Sequence, residues 1–243
     1  MNVRHSAIAR SFLVVLLAGV IPAHGQNPAA PSAAPSAKAQ AAIDLTGYWV
    51  SFVTEDWRYR MLTPPKGDYA GVPMTQDARK VADAWDPASD EAAGNQCKAY
   101  GAAAIMRVPT RLRIMWEDDN TLRIETDAGT QTRLFHFGRP PAPQDKPSRQ
   151  GNSNAQWERP SSLKVTTTSM QAGYLRKNGV PYSENAVLTE YFDLSPLPNG
   201  GQVLLVTAVV EDSKYLQLPF IVSSQFKKET DGSKWDPTPC FAK

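Results

Sequence analysis

The chain has few of the residues that hold metals or carry redox chemistry: its 243 residues include three histidines and two cysteines. His5 and His24 fall in the first 25 residues, which leaves His136 as the one imidazole of the remainder, alongside the thiols of Cys97 and Cys240. No His-x-His, Cys-x-x-Cys or His-Glu-x-x-His spacing occurs, and such spacings are what bring two ligands to one face at zinc distance. A zinc or copper site is therefore not expected, and neither is any other cofactor. A Gly-x-Ser-x-Gly elbow is also missing, because Gly151-Asn152-Ser153 is not followed by the second glycine, and no glycine-rich loop is placed to cradle a phosphate or dinucleotide.

Charge of one sign is equally scarce. Without Arg4 and Arg10 the chain carries 24 acidic residues against as many basic ones, so no basic surface is implied. Nucleic acid is not an expected partner, since its binding rests on counterion release by clustered lysine and arginine. Long apolar runs are absent too. The longest, Ser11 to Ile21, follows Arg4 and Arg10 and precedes the small residues Ala23-His24-Gly25, the pattern of a cleaved secretory signal over residues 1–25. Leu17-Ala18-Gly19 is followed by Val20 and not by cysteine, so no lipid anchor is expected, and the destination is the periplasm or the medium. Residues 26–42 are mostly Ala, Pro and Ser and read as a disordered tether, leaving 43–243 as the folded domain. Export would deliver Cys97 and Cys240 to an oxidising compartment, where a bridge between them closes a loop worth about 5 kcal/mol in the chain-entropy view.

What the sequence does contain is period-two alternation. Arg111 to Gly138 predicts a three-strand antiparallel meander, in which Leu112, Ile114 and Trp116, then Leu122 and Ile124, then Leu134 and His136 occupy one face. Asp118-Asp119-Asn120 and Asp127-Ala128-Gly129 are its turns. Leu45 to Val53 and Asp56 to Met61 read as strands, the second with Trp57, Tyr59 and Met61 opposite Arg58 and Arg60. Thr75 caps a helix with Ala78, Val81, Ala82 and Trp85 on one side, stopped at Asp86-Pro87, and Ser89 caps a weaker one reaching Tyr100. Arg139 to Ser161 reads as a long loop and Gly173 to Asn185 as a turn region. Leu163 to Met170 and Phe220 to Lys228 are strands, and Ala186 to Leu194 with Gln202 to Glu211 form a hairpin reversed at Pro198-Asn199-Gly200-Gly201. About eight or nine antiparallel strands in one all-β domain predict closure into a barrel, with two short helices covering one end; a sandwich is the alternative.

Several motifs carry a resemblance. Gly47-Tyr48-Trp49 matches the Gly-x-Trp that opens lipocalin-type barrels. Ala84-Trp85-Asp86-Pro87, Ile114 to Asn120, Trp157-Glu158, Gly179-Val180-Pro181-Tyr182-Ser183, Thr189-Glu190-Tyr191-Phe192 and the late Cys240 follow in order. Together the stretch from Leu45 to Cys240 resembles a large family of exported bacterial proteins with a lipocalin-like β-barrel. The resemblance implies fold and export, and no particular activity. The chain departs from the pattern at Arg149 or Gln150, near a tryptophan of the family, and at Asn152, where the family has His or Tyr.

Alternation places three polar groups among apolar neighbours. Glu190 shares a face with Leu188 and Phe192, His136 with Leu134 and Thr132, and Arg58 and Arg60 share a third. The expected function is the binding of a small, partly apolar molecule in the mouth or interior of the barrel, lined by Arg58, Arg60, Trp49, Trp57, Trp116 and Trp157. The second reading is a cofactor-independent lyase, isomerase or hydrolase with His136, Glu190, Tyr182 and Tyr191 as acids and bases. A third is an envelope scaffold that binds another protein, which predicts an exposed apolar patch and a filled core without an internal cavity. For each residue the structural role weighs more: a satisfied wall histidine, Glu190 as half of a buried ion pair for which Arg58 and Arg60 are the candidate partners, outward charges and core tryptophans. Oligomeric state is left open by the sequence.

Overall fold

A computed structural model describes residues 34–138, 146–158, 161–198 and 200–243. Its strands are β1 (Gly47–Ser51), β2 (Arg111–Asp118), β3 (Thr121–Thr126), β4 (Gln131–Phe137), β5 (Asn152–Glu158), β6 (Ser162–Thr168), β7 (Gly173–Arg176), β8 (Val180–Tyr182), β9 (Val187–Pro196), β10 (Gln202–Glu211) and β11 (Phe220–Lys228). Nine of them close into a barrel in the order β1-β11-β10-β9-β6-β5-β4-β3-β2, with β2 pairing back onto β1; β7 and β8 form a separate hairpin. The result is a lipocalin-like all-β barrel. Closure pairs both edges of each of these nine strands, so the barrel itself presents no open edge.

The meander from Arg111 to Gly138 forms as expected, and so does the β9–β10 hairpin, although Asn199 of its turn lies outside the described residues. Alternation sends Leu112 and Ile114, Leu122 and Ile124, Leu188 and Phe192, and Leu204 and Val206 inward. Trp49, Phe135, Phe192 and Phe226 are fully buried and fill the space they enclose, Phe135 meeting Phe192 edge to face at 5.4 Å.

Helices gather at the end of the barrel where β1 stops and β2 begins. They are α1 (Trp57–Arg60), α2 (Gln76–Asp83), α3 (Pro87–Ala92) and α4 (Ala102–Ile105), with a 3₁₀ turn at Lys98–Tyr100. Thr75 caps α2 by accepting from the Ala78 amide at 3.2 Å, and α2 buries Ala78 and Ala82 against the β7–β8 hairpin and the ends of β9 and β10. Gly179 turns that hairpin at φ +82°, where a Cβ would strike the Trp85 ring, so glycine is required twice over. The Cys97–Cys240 disulfide spans 143 residues and ties the chain entering the 3₁₀ turn to the tail. The opposite end is filled by Trp116, Phe137 and Trp157, with ring centroids 5.3 to 6.5 Å apart. No helix among the described residues is long and apolar enough to cross a membrane.

Six expectations are corrected. Trp57–Arg60 is a helical turn, not a strand: six alternating residues are too few to separate period 2 from period 3.6, and Trp57 and Met61 both lie exposed. Asn152–Glu158 is a strand inside the expected loop, pairing parallel to β4, so the barrel is not wholly antiparallel. Its inward Ser153 and Ala155 are too small to register as a hydrophobic pattern. Gly173–Arg176 and Val180–Tyr182 pair as strands within the expected turn region. The cap of α3 is Asp86, which accepts from the Ala88 amide with Pro87 at the first helical position, and α3 ends at Ala92 rather than reaching Tyr100. The expected tether does not extend to residue 42. Ala37 donates its amide to Asn120 Oδ1 at 2.9 Å, the Lys38 amide donates to the Asp119 carbonyl, and Trp157 Nε1 donates to the Ala37 carbonyl at 2.8 Å, so residues 35–42 are docked over the Trp116 end. The signal segment 1–25 and residues 26–33 lie outside the described residues. The sixth correction is the phase of β4: Arg133 and Phe135 point inward, while Leu134 and His136 face out.

Candidate functional site

The β4 phase determines what the barrel interior contains. Arg133, 1% exposed, meets Glu190, 0% exposed, across the lumen. Arg133 Nη1 donates to Glu190 Oε1 at 2.9 Å and Nη2 to Oε2 at 2.5 Å, a bidentate fork, and Nη2 also reaches Thr167 Oγ1 at 3.3 Å. Thr167 in turn shares a hydrogen bond of 2.8 Å with Ser153. The guanidinium stacks over Phe135 with its carbon 4.8 Å from the ring centroid. Ser153 on β5 is thereby joined to the pair through Thr167. Glu190 is therefore half of a buried ion pair as expected, but its partner is Arg133 rather than Arg58 or Arg60.

The proposed acid and base residues do not converge. His136 stands on the outer face, with Nδ1 3.4 Å from Thr121 Oγ1. Tyr191 also faces outward, with the Lys164 ammonium over its ring, because it neighbours the inward Glu190 in an alternating strand. Tyr182 belongs to the cap on β8; burial pushes its phenol up to about 12, and its hydroxyl has no hydrogen-bond partner among the described residues. Of the tryptophans, Trp49 is core and donates to the Leu45 carbonyl, Trp57 is 63% exposed, and Trp116 and Trp157 plug the end opposite the cap.

Arg58 and Arg60 part company because a helical turn separates them in direction. Arg58 is exposed and pairs with Asp68 at 2.6 Å. Arg60 turns inward beneath the cap, where it lines a cavity of about 20 Å³ together with Arg107, Arg176 and Tyr59. Arg60 Nε donates to the Arg107 carbonyl at 3.0 Å; Arg107 Nη2 donates to Asp56 at 3.1 Å; Arg176 Nη1 donates to the Ala70 carbonyl at 2.8 Å. Asp56, the residue before α1, sits at φ +50°, a conformation that aspartate tolerates better than most, and its carboxylate is given to Arg107 instead of capping the helix. Burial lowers the proton affinity of all three guanidinium groups; repulsion by Arg107 lowers that of Arg60 and Arg176 further, whereas Asp56 and Glu55 partly restore that of Arg107.

Beside these arginines, at the same end, a cleft of about 560 Å³ runs between the end of β1, the start of β2, the end of β3 and the C-terminal tail. Consecutive residues line both features, Arg60 with Met61 and Val108 with Pro109. Val50, Val53, Met61 and Pro109 supply apolar wall, and Asp127 and Arg111 supply polar wall. Asp127 Oδ1 accepts from Thr110 Oγ1 and from the amides of Arg111 and Ala128, so that wall is fixed before any ligand arrives.

Sequence reasoning missed Arg133, Arg107 and Arg176. Arg133 was legible in one respect: Phe135 and Phe137 share its phase, two aromatic groups against the single Leu134. Arg107 ends the apolar run Ala102 to Met106, a weak sign of burial, and Arg176 offered no signal. Compared with known proteins, the chain matches no family model and no curated protein.

Proposed function

We propose that the protein is an exported member of the lipocalin-like barrel family that binds a small, partly apolar molecule, and that it does so in the cleft at the capped end of the barrel. The observation that carries this reading is the cleft itself, whose 560 Å³ falls in the range of small-molecule sites and whose wall combines apolar side chains with polar groups already locked in place. The filled lumen argues for the cleft over the interior: Trp49, Phe135, Phe192, Phe226 and the Arg133–Glu190 pair occupy the space a lipocalin-type ligand would take. Export is supported by the N-terminal pattern and by the pairing of Cys97 with Cys240.

The test uses 1-anilinonaphthalene-8-sulfonate, a small, partly apolar probe. Its fluorescence is expected to rise saturably with one site per chain, and Met61→Asp, at an exposed position in the cleft wall, is expected to abolish the rise without lowering Tm. Probe binding that ignores Met61→Asp, or no saturable binding, refutes the cleft as the site.

A further inference from the structure

The three arginines under the cap pose a problem of charge. Arg60, Arg107 and Arg176 are each at least nine-tenths buried, and arginine does not shed its proton in proteins. Three positive charges thus face one small cavity. The carboxylates near them are too few and too wet. Asp56 binds Arg107 but is 39% exposed; Glu55 is 35% exposed, stands 3.7 Å from Arg60 Nη1, beyond hydrogen-bond reach, and accepts from Gln225 at 2.7 Å instead. Asp68 is held by Arg58. Arg176 has no carboxylate within 4 Å among the described residues; it rests on the Tyr59 ring at 4.2 Å and on the Ala70 carbonyl.

Hydrogen bonding shows the same deficit. Arg60 Nη1 and Nη2, Arg107 Nη1 and Arg176 Nε are buried donors with no acceptor among the described residues. Leaving such donors unpaired is costly, and native structures rarely do it. A water accepts about two hydrogen bonds and still has two hydrogens to place, whereas these guanidinium groups offer donors only. A single anionic atom satisfies several donors at once and supplies the missing charge. The cavity, about 20 Å³, exceeds the roughly 10–15 Å³ that one water-sized particle requires, and it is far too small for a whole phosphate or sugar.

We propose that Arg60, Arg107 and Arg176 form a buried binding site for one small anion, with Tyr59 as the wall against which the Arg176 guanidinium is held. The shared chemistry is one negatively charged atom accepting N–H bonds from converging guanidinium groups. Its source is either a free halide or one oxygen of a small carboxylate. The proposal does not rest on the reading of the neighbouring cleft, since its donors lie beneath the cap.

Crystals of the full chain grown in bromide, and separately in acetate, test it directly. An anomalous bromide peak touching the three guanidinium groups supports the site and identifies a halide; acetate density there with no bromide peak supports it and identifies a carboxylate. In solution, excess broadening of the chloride-35 resonance by the protein, lost in Arg176→Met, supports a halide. Tm that rises saturably with chloride, bromide or acetate, against gluconate at equal ionic strength, supports the site without requiring a variant to fold. Water alone at the position in both crystals, together with a Tm that is the same in all four salts, overturns the proposal.

Discussion

Removing one member of the Arg133–Glu190 pair should harm the protein far more than removing both. Glu190→Leu leaves a guanidinium that is 1% exposed without its counter-charge, and Arg133→Met leaves a fully buried carboxylate with no donor for either oxygen among the described residues. Loss of one partner from a buried pair costs about 3–5 kcal/mol, whereas replacing both by apolar groups of similar volume is often neutral or better. For a domain of this size each kcal/mol moves Tm by roughly 2–4 °C, so each single variant should fall by about 6–20 °C. The double variant should lie within about 1 kcal/mol of the parent, because Ser153 and Thr167 keep their mutual hydrogen bond and the new side chains pack on Phe135. Urea midpoints at unchanged m-value give the four stabilities, and the cycle gives a coupling of several kcal/mol, well above the 0.2–1 kcal/mol of an exposed pair. Singles that cost less than about 1 kcal/mol, or a double equal to their sum, would show that the two groups are not the mutually dependent pair inferred here.

Two further outcomes follow from buried polar groups. Tyr182→Phe removes a hydroxyl with no partner among the described residues, so stability should hold or rise by up to about 1 kcal/mol, and the step near 12 in the alkaline phenolate absorbance titration should disappear, while the later step of Tyr174, held higher by burial and by Asp90, stays. Loss of stability by more than about 1 kcal/mol would reveal a partner for that hydroxyl. On the outer wall, burial raises the Glu125 carboxyl, but hydrogen bonds from Arg113 and Arg123 outweigh it and hold the group below its ordinary value. A depressed carboxyl stabilises the fold above its unfolded value, about 4.3, and that contribution is lost as pH falls through the folded value. Between pH 6 and pH 3 the urea midpoint of the parent should therefore fall more steeply than that of Glu125→Gln; parallel slopes would sink this account.

The amino-acid sequence alone carried the barrel walls, because Leu112 and Ile114, Leu122 and Ile124, and the β9–β10 run repeat at period two over enough residues to fix both strand and inner face. It also determined the Thr75 helix start and the pairing of two lone cysteines. Where the pattern was short or polar, it carried too little information: Trp57–Arg60 alternates for barely one turn, and Asn152–Glu158 is a strand recognised only through its neighbours. The face of His136 turned on one leucine against two phenylalanines, and the answer depended on Glu190, 57 residues away along the chain, pulling Arg133 into the lumen. The arginine site is the extreme case. Arg60, Arg107 and Arg176 come from three separate segments, and only the folding of the cap over the barrel end brings like charges together, since no local pattern encodes a contact between groups that repel each other.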